Sequence, residues 1–132
     1  MEGIEYNTQY LNFLMVHLIL GEYMEFNRKP TIQEERLLEL LIKKASIVLP
    51  NNWKDKLLVR PMDDGDMGSL YLFPNGEIIE NRILGKQVCE FQFTDLDGIE
   101  VIASLNIDTN GELFELDIWK TDFGKLIKFP NL

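Results

Sequence analysis

Three groups of side chains in this sequence have residue types and spacings that could do chemistry, and the largest is acidic and aromatic. Between Ile99 and Lys120, two alternating runs flank Asn110-Gly111, the dipeptide with the strongest short-range preference for a hairpin turn. A tight turn there pairs Thr109 with Glu112. Counting outward then sets Ile107 opposite Phe114, Leu105 opposite Leu116 and Ala103 opposite Ile118 on one face. The other face carries Asn106 with Glu115, Ser104 with Asp117 and Ile102 with Trp119. The preceding strand adds Glu90 and Gln92 to that face. A one-residue slip would turn every apolar side chain outward, so the alternation of both runs specifies the register. Carboxylates around an exposed indole suit a cationic partner, the ring as anchor and the charges for steering. Glu90, Ile102, Glu115, Asp117 and Trp119 are therefore the expected partner-binding residues. The plainer reading of the same residues is a solvated sheet face on which Ile102 and Trp119 shield one another.

The second group matches a calcium loop by spacing. Asn106, Asp108, Asn110, Gly111 and Asp117 fall at positions 1, 3, 5, 6 and 12 of the EF-hand pattern. The hairpin competes with this reading, because it carries Asp117 up a strand and away from the turn. The third group is Asp63-Asp64-Gly65-Asp66, whose carboxylates either attract a hard divalent cation or stay solvated. Asp63, Asp64 and Asp66 are weak metal candidates, and ion pairing with nearby Arg60 is the simpler expectation. No metal or other cofactor is expected. The sequence has no P-loop, dinucleotide glycine pattern, nucleophile elbow or zinc-protease motif, and one His and one Cys are too few for a triad or a zinc site. A non-enzymatic chain is the expectation. The rivals are a small-molecule or divalent-metal module and an enzyme with a cryptic carboxylate site such as Glu115 with Asp117.

Composition narrows the partners. A net charge of -9, from 22 acidic and 13 basic residues, repels nucleic-acid backbones and favours a basic protein partner. A single cysteine, Cys89, in an alternating strand reads as a small buried hydrophobe and fits a reducing, cytoplasmic setting. The apolar run from Leu11 to Leu20 is about half the length needed to span a bilayer and follows Glu2 and Glu5 rather than a basic region, so neither a membrane span nor a secretory signal is expected.

The elements that must position these groups follow from periodicity. Residues 1–132 read as a single α+β domain, in which two N-terminal helices pack on one face of an antiparallel β-meander of about five strands. The first helix, near Tyr6 to Phe26, is apolar almost all round between Leu11 and Leu20 and is a candidate homodimer interface. Its His17 reads as a packed core residue. Thr31 and Glu34 form a capping box opening the second helix, whose stripe of Leu37, Leu38, Leu40, Leu41, Ile42 and Ala45 runs on until Pro50. Trp53 is expected to cover the core edge. Short strands are expected in LLVRPM, SLYLFP and EIIENRIL, with Pro61 and Pro74 marking edges or ends and Asn75-Gly76 making a further hairpin. In GKQVCEFQFTD, Phe93 is expected opposite Val101 and Phe91 opposite Ala103 across the three-residue loop Leu96-Asp97-Gly98. The inner face is then Cys89, Phe91, Phe93, Val101, Ala103, Leu105, Phe114, Leu116 and Ile118. Beyond it, Asp122 is expected to cap one helical turn and Phe123, Leu126 and Ile127 to close one end of the core.

The last third, DLDGIEVIASLNIDTNGELFELDIWKTDFGKLIKFP, resembles the C-terminal half of a family of small uncharacterised bacterial proteins. The shared pattern is a D-G turn, an L-N-x-D-x-x-G-x-L turn and E-L-D-x-W-K-x-D-F, and the LELLI helix and M-D-D-G-x-M-G-S-L stretch are similar too. The resemblance brings no activity and so assigns no catalytic residue. In size, charge and architecture the chain also resembles immunity proteins that neutralise secreted toxins.

Overall fold

The computed structural model describes residues 27–132. The first expected helix, its candidate dimer interface between Leu11 and Leu20, and His17 lie outside the described residues. The capping box forms as its residues dictate: Thr31 Oγ1 accepts from Glu34 N at 3.1 Å, and Thr31 N donates to Glu34 Oε1 at 2.8 Å. Helix α1 (Ile32–Lys44) starts there, with Glu34 and Glu35 in its first turn and Lys43 and Lys44 in its last, each matched to the helix dipole. It stops well before Pro50. Ser46 takes a left-handed φ of 57°, its N–H donates to Lys43 O and the Ile47 N–H reaches Ile42 O. That is a Schellman ending with serine where glycine is usual.

One short helix, α2 (Trp53–Lys56), leads into an antiparallel sheet of five strands: β1 (Leu58–Pro61), β2 (Leu70–Phe73), β3 (Leu84–Thr94), β4 (Glu100–Asp108) and β5 (Leu113–Lys120), in the order β1-β2-β5-β4-β3. The α+β class and an antiparallel sheet of five strands are as the periodicity predicts, but only β3, β4 and β5 run as a meander, because β2 lies beside β5 rather than β3, and there is one main helix among the described residues. Leu37, Leu38, Leu41 and Ile42 of α1 close the inner face against Val59, Leu70, Leu72, Val101, Ala103, Leu105, Leu116 and Ile118, all buried. Each of the leucines, isoleucines and valines contributes about 1.5–3 kcal/mol by leaving water. Trp53 packs half-buried at the core's edge, as expected. Pro61 ends the edge strand β1 and Pro74 directly follows β2, where no ladder N–H is missed.

The β3–β4 hairpin has the expected geometry. Phe93 lies opposite Val101 and Phe91 opposite Ala103, and Gly98 takes a φ of 82° in the loop closed by Asp95 N to Ile99 O. The β4–β5 hairpin differs at its tip. Its loop also has three residues, with Asp108 N donating to Glu112 O and Gly111 at φ 82°, so Glu112 sits opposite Asp108 rather than Thr109. Ile107 pairs with Leu113, and a bulge at Phe114 restores Asn106 opposite Glu115, Ser104 opposite Asp117 and Ile102 opposite Trp119. The bulge gives the core position expected for Phe114 to Leu113, which is buried, and turns Phe114 toward the outer face, where the Arg82 guanidinium lies 4.9 Å from its ring.

The segment EIIENRIL is not a strand before Leu84. Its isoleucines, Ile78, Ile79 and Ile83, are exposed. Asn75-Gly76 makes a single 3₁₀ turn (Pro74–Gly76), not a hairpin. The C-terminal segment forms no helical turn. Asp122 accepts from Gly124 N, Phe123 and Ile127 are exposed, and Leu126 and Phe129 take the packing positions against the core. No described helix is long and apolar enough to cross a membrane.

Candidate functional site: the outer face of the sheet

Three cross-strand rows build the outer face. Tyr71, Glu115, Asn106 and Gln87 form the first, Asp117, Ser104 and Glu90 the second, and Trp119, Ile102 and Gln92 the third. Glu90, Ile102, Glu115, Asp117 and Trp119 therefore share one surface. Neighbouring strands are about 4.8 Å apart, which sets the backbones of Glu90 and Asp117 about 10 Å from each other. Trp119 is 45% exposed and Tyr71 38%. Phe123, with a left-handed φ of 62°, extends the aromatic surface by lying 6.2 Å from the Trp119 ring.

Glu115 and Asp117 are the unusual pair. Both are half-buried, and Asn106 donates its side-chain N–H to Asp117 Oδ2 at 2.7 Å. Burial, with the charge of Asp117 beside it, holds the Glu115 carboxyl above the usual carboxylate range. Burial likewise raises Asp117, and the charge of Asp64 adds to this against the hydrogen bonds from Asn106 and Glu115. The surface thus concentrates negative charge where solvent screens it incompletely. Glu90, by contrast, is exposed and accepts a long hydrogen bond from Gln87.

The two metal candidates resolve into structural roles. Asp108 Oδ1 accepts from Asn110 N and Glu112 N, while its Oδ2 takes Arg82 Nε at 2.9 Å, so its oxygens hold the turn and an arginine. Asn106 faces Asp117 on the strand. In the acidic loop, Asp64 accepts from Met67 N and Ser69 N, and Asp66 Oδ2 lies 3.7 Å from Lys125 Nζ. Among the described residues, no three His, Cys, Asp or Glu side chains are grouped to hold a metal. Arg60 pairs with Glu80 at 2.7 Å and donates to Asn27.

Residues 27–130 match the family described as a domain of unknown function, DUF6984. The chain belongs to this family. No curated protein and no solved structure matches. The matched span covers the whole described fold, from Asn27, whose side chain meets Arg60, to the segment that packs Leu126 and Phe129 on the core. In this DUF6984 domain, three residues with structural roles escaped the pattern reading. Ser69 is one: its buried Oγ donates to Ile118 O and accepts from Ile118 N, extending the β2–β5 ladder by side chain just before β2 begins. Ser69→Ala should leave both Ile118 groups unpaired and cost about 1–3 kcal/mol, checked by urea unfolding at constant m. The others are Arg82 and Lys120. Lys120 was legible in principle, because strict alternation puts it on the inner face beyond Ile118, where a lysine requires a partner.

Proposed function

We propose that this DUF6984 domain is a non-enzymatic, cytoplasmic protein-interaction module of bacterial origin that binds a basic partner through the outer sheet face, in the manner of an immunity protein. The supporting observation is the half-buried Glu115–Asp117 pair with Tyr71, Trp119 and Phe123 exposed around it. A lysine or arginine brought by a partner would meet two carboxylates held above their ordinary range by burial, and aromatic rings would bury its aliphatic stem. Glu90 and Ile102 complete the contact on the neighbouring strands.

The test is affinity capture from the source organism's lysate, followed by reconstitution with the purified partner. Wild type is compared with a folded Trp119→Ala, Asp117→Lys double variant. The expected result is salt-sensitive binding that the double variant loses. Equal binding by both, or no partner at all, overturns the reading. A stability measurement adds an independent sign. A carboxyl raised in the fold favours folding when protonated, and that contribution is lost as pH rises from the unfolded value through the folded one. Glu115→Gln should therefore melt slightly higher than wild type at pH 7, equal it in acid below the ordinary glutamate range, and bind the partner more weakly.

A further inference from the structure

The two edges of the sheet are finished differently. Strand β1 is four residues long and ends in Pro61, and its outer backbone groups are taken: Arg28 N donates to Val59 O at 2.9 Å and Val59 N to Arg28 O at 2.8 Å. Strand β3, at the other edge, has eleven residues. Its first half carries the devices that blunt an edge, with register shifts on either side of Lys86 and Gln87. Its second half, 89–94, pairs regularly with β4 and carries no proline, lysine or bulge.

The hydrogen-bond phase of that half follows from its turn. Asp95 N donates to Ile99 O, so Phe93 and Phe91, at every second residue, direct their backbone groups to β4. Thr121 N to Glu100 O confirms the alternation on β4, where Glu100 faces β5. The N–H and C=O groups of Glu90, Gln92 and Thr94 therefore point away from the sheet, and all three residues are exposed. Beside them on the inner face, Phe91 and Cys89 are only half-buried at the rim of the core, and Phe91 stacks on Phe93 at 6.2 Å.

We propose that β3 pairs antiparallel with β3 of a second copy of this chain, about a two-fold axis at Gln92, to give a continuous ten-stranded sheet. This goes beyond the outer-face reading and does not depend on it. The sequence is self-complementary in this register. Gln92 meets Gln92, Glu90 meets Thr94, and Phe91 meets Phe93, so no like charges lie directly opposite each other across the new seam, while Thr94 and Gln92 hold the Glu100 carboxylate one strand further in. The Phe91–Phe93 cross pairs cover the half-open rim of both cores, and the outward N–H and C=O groups of Glu90, Gln92 and Thr94 find partners.

Sedimentation of the full chain over a concentration series from about 1 μM upward tests this. A dimer is expected. Gln92→Pro removes an outward N–H that the β3–β4 ladder does not use, so it should give a monomer with an unchanged circular dichroism spectrum. Thr94→Asp, placed opposite Glu90 of the second copy, should weaken the dimer about two- to tenfold, and Thr94→Lys should tighten it by a similar factor, with Thr94→Val as the control for the hydrogen bond that Thr94 donates to Glu100 of its own chain. These exposed substitutions keep the test decisive if the proline variant fails to fold. A wild-type monomer overturns the proposal, as does a dimer indifferent to Gln92→Pro, Thr94→Asp and Thr94→Lys.

Discussion

Arg82→Met is expected to destabilise the domain by about 3–5 kcal/mol, because it leaves Asp108 as an uncompensated buried charge. Arg82 Nε meets Asp108 Oδ2 at 2.9 Å, with the arginine side chain 9% and the aspartate 4% exposed. The same guanidinium donates to Leu72 O at 2.5 Å and to Leu113 O. These are carbonyls of β2 and β5 beyond their last paired residues, Tyr71 and Glu115, where the bulge at Phe114 spreads the strands. Arginine is the one side chain whose fork can satisfy all three acceptors. Urea unfolding measures the loss. Adding Asp108→Asn should recover part of it, since the amide oxygen still caps the turn and the stranded charge is gone. The fold also holds Asp108 below the ordinary aspartate range. Burial opposes this, but the Glu112 N–H, Arg82 and the Asn110 N–H outweigh it.

The second large effect is expected at Lys120, which is buried on the inner face at the end of β5. Its ammonium meets Asp97 Oδ2 at 2.6 Å, Asp95 Oδ2 at 2.9 Å and Lys125 O at 3.0 Å. Asp95 in turn accepts from the backbone N–H groups of Ile127 and Lys128, at 2.8 and 3.1 Å. Lysine and aspartate together therefore fix the C-terminal segment to the β3–β4 turn. Lys120→Met should release it, so that the amides of Ile127 and Lys128 lose protection in hydrogen exchange and the melting temperature falls. Burial alone would raise Asp95. The Ile127 N–H, Lys120 and the Leu96 and Lys128 N–H groups instead bring it from 3.8 down to about 2. A depressed carboxyl stabilises the fold above its unfolded value, and that contribution is lost as pH falls through the folded one. Wild type should thus lose stability between about pH 4 and pH 2, and Asp95→Asn should show a flatter slope there.

Much of the sheet was legible because alternation, turn chemistry and the capping box agree. The pairing of Phe93 with Val101 followed from Asp97-Gly98 and two clean strands. The β4–β5 register was right beyond the tip because two one-residue departures cancel. The loop is one residue longer than the two-residue turn implied by Asn110-Gly111, and the bulge at Phe114 absorbs it. Neither departure leaves a periodic signal. Residues 77–83 misled for a different reason. Ile78, Ile79 and Ile83 have strand-forming side chains, but the segment is fixed by Glu80 to Arg60 and by Arg82 to Asp108, polar contacts that periodicity cannot report. The outer face was readable residue by residue. Its electrostatics were not, because the raised carboxyls of Glu115 and Asp117 depend on burial that the linear chain does not display.

The two hairpin turns share one plan, an aspartate at the start, a three-residue loop and a glycine at positive φ, and each aspartate is met by a cation from outside the hairpin. This separates the order of assembly. Strands β3, β4 and β5 are consecutive neighbours joined by tight loops, and such local contacts form early in folding. Arg82 and Lys120 can reach their carboxylates only after those turns exist. Weakening either cation should therefore leave the refolding rate nearly unchanged and appear in the unfolding limb of a chevron, with each fastening setting how long the folded domain persists.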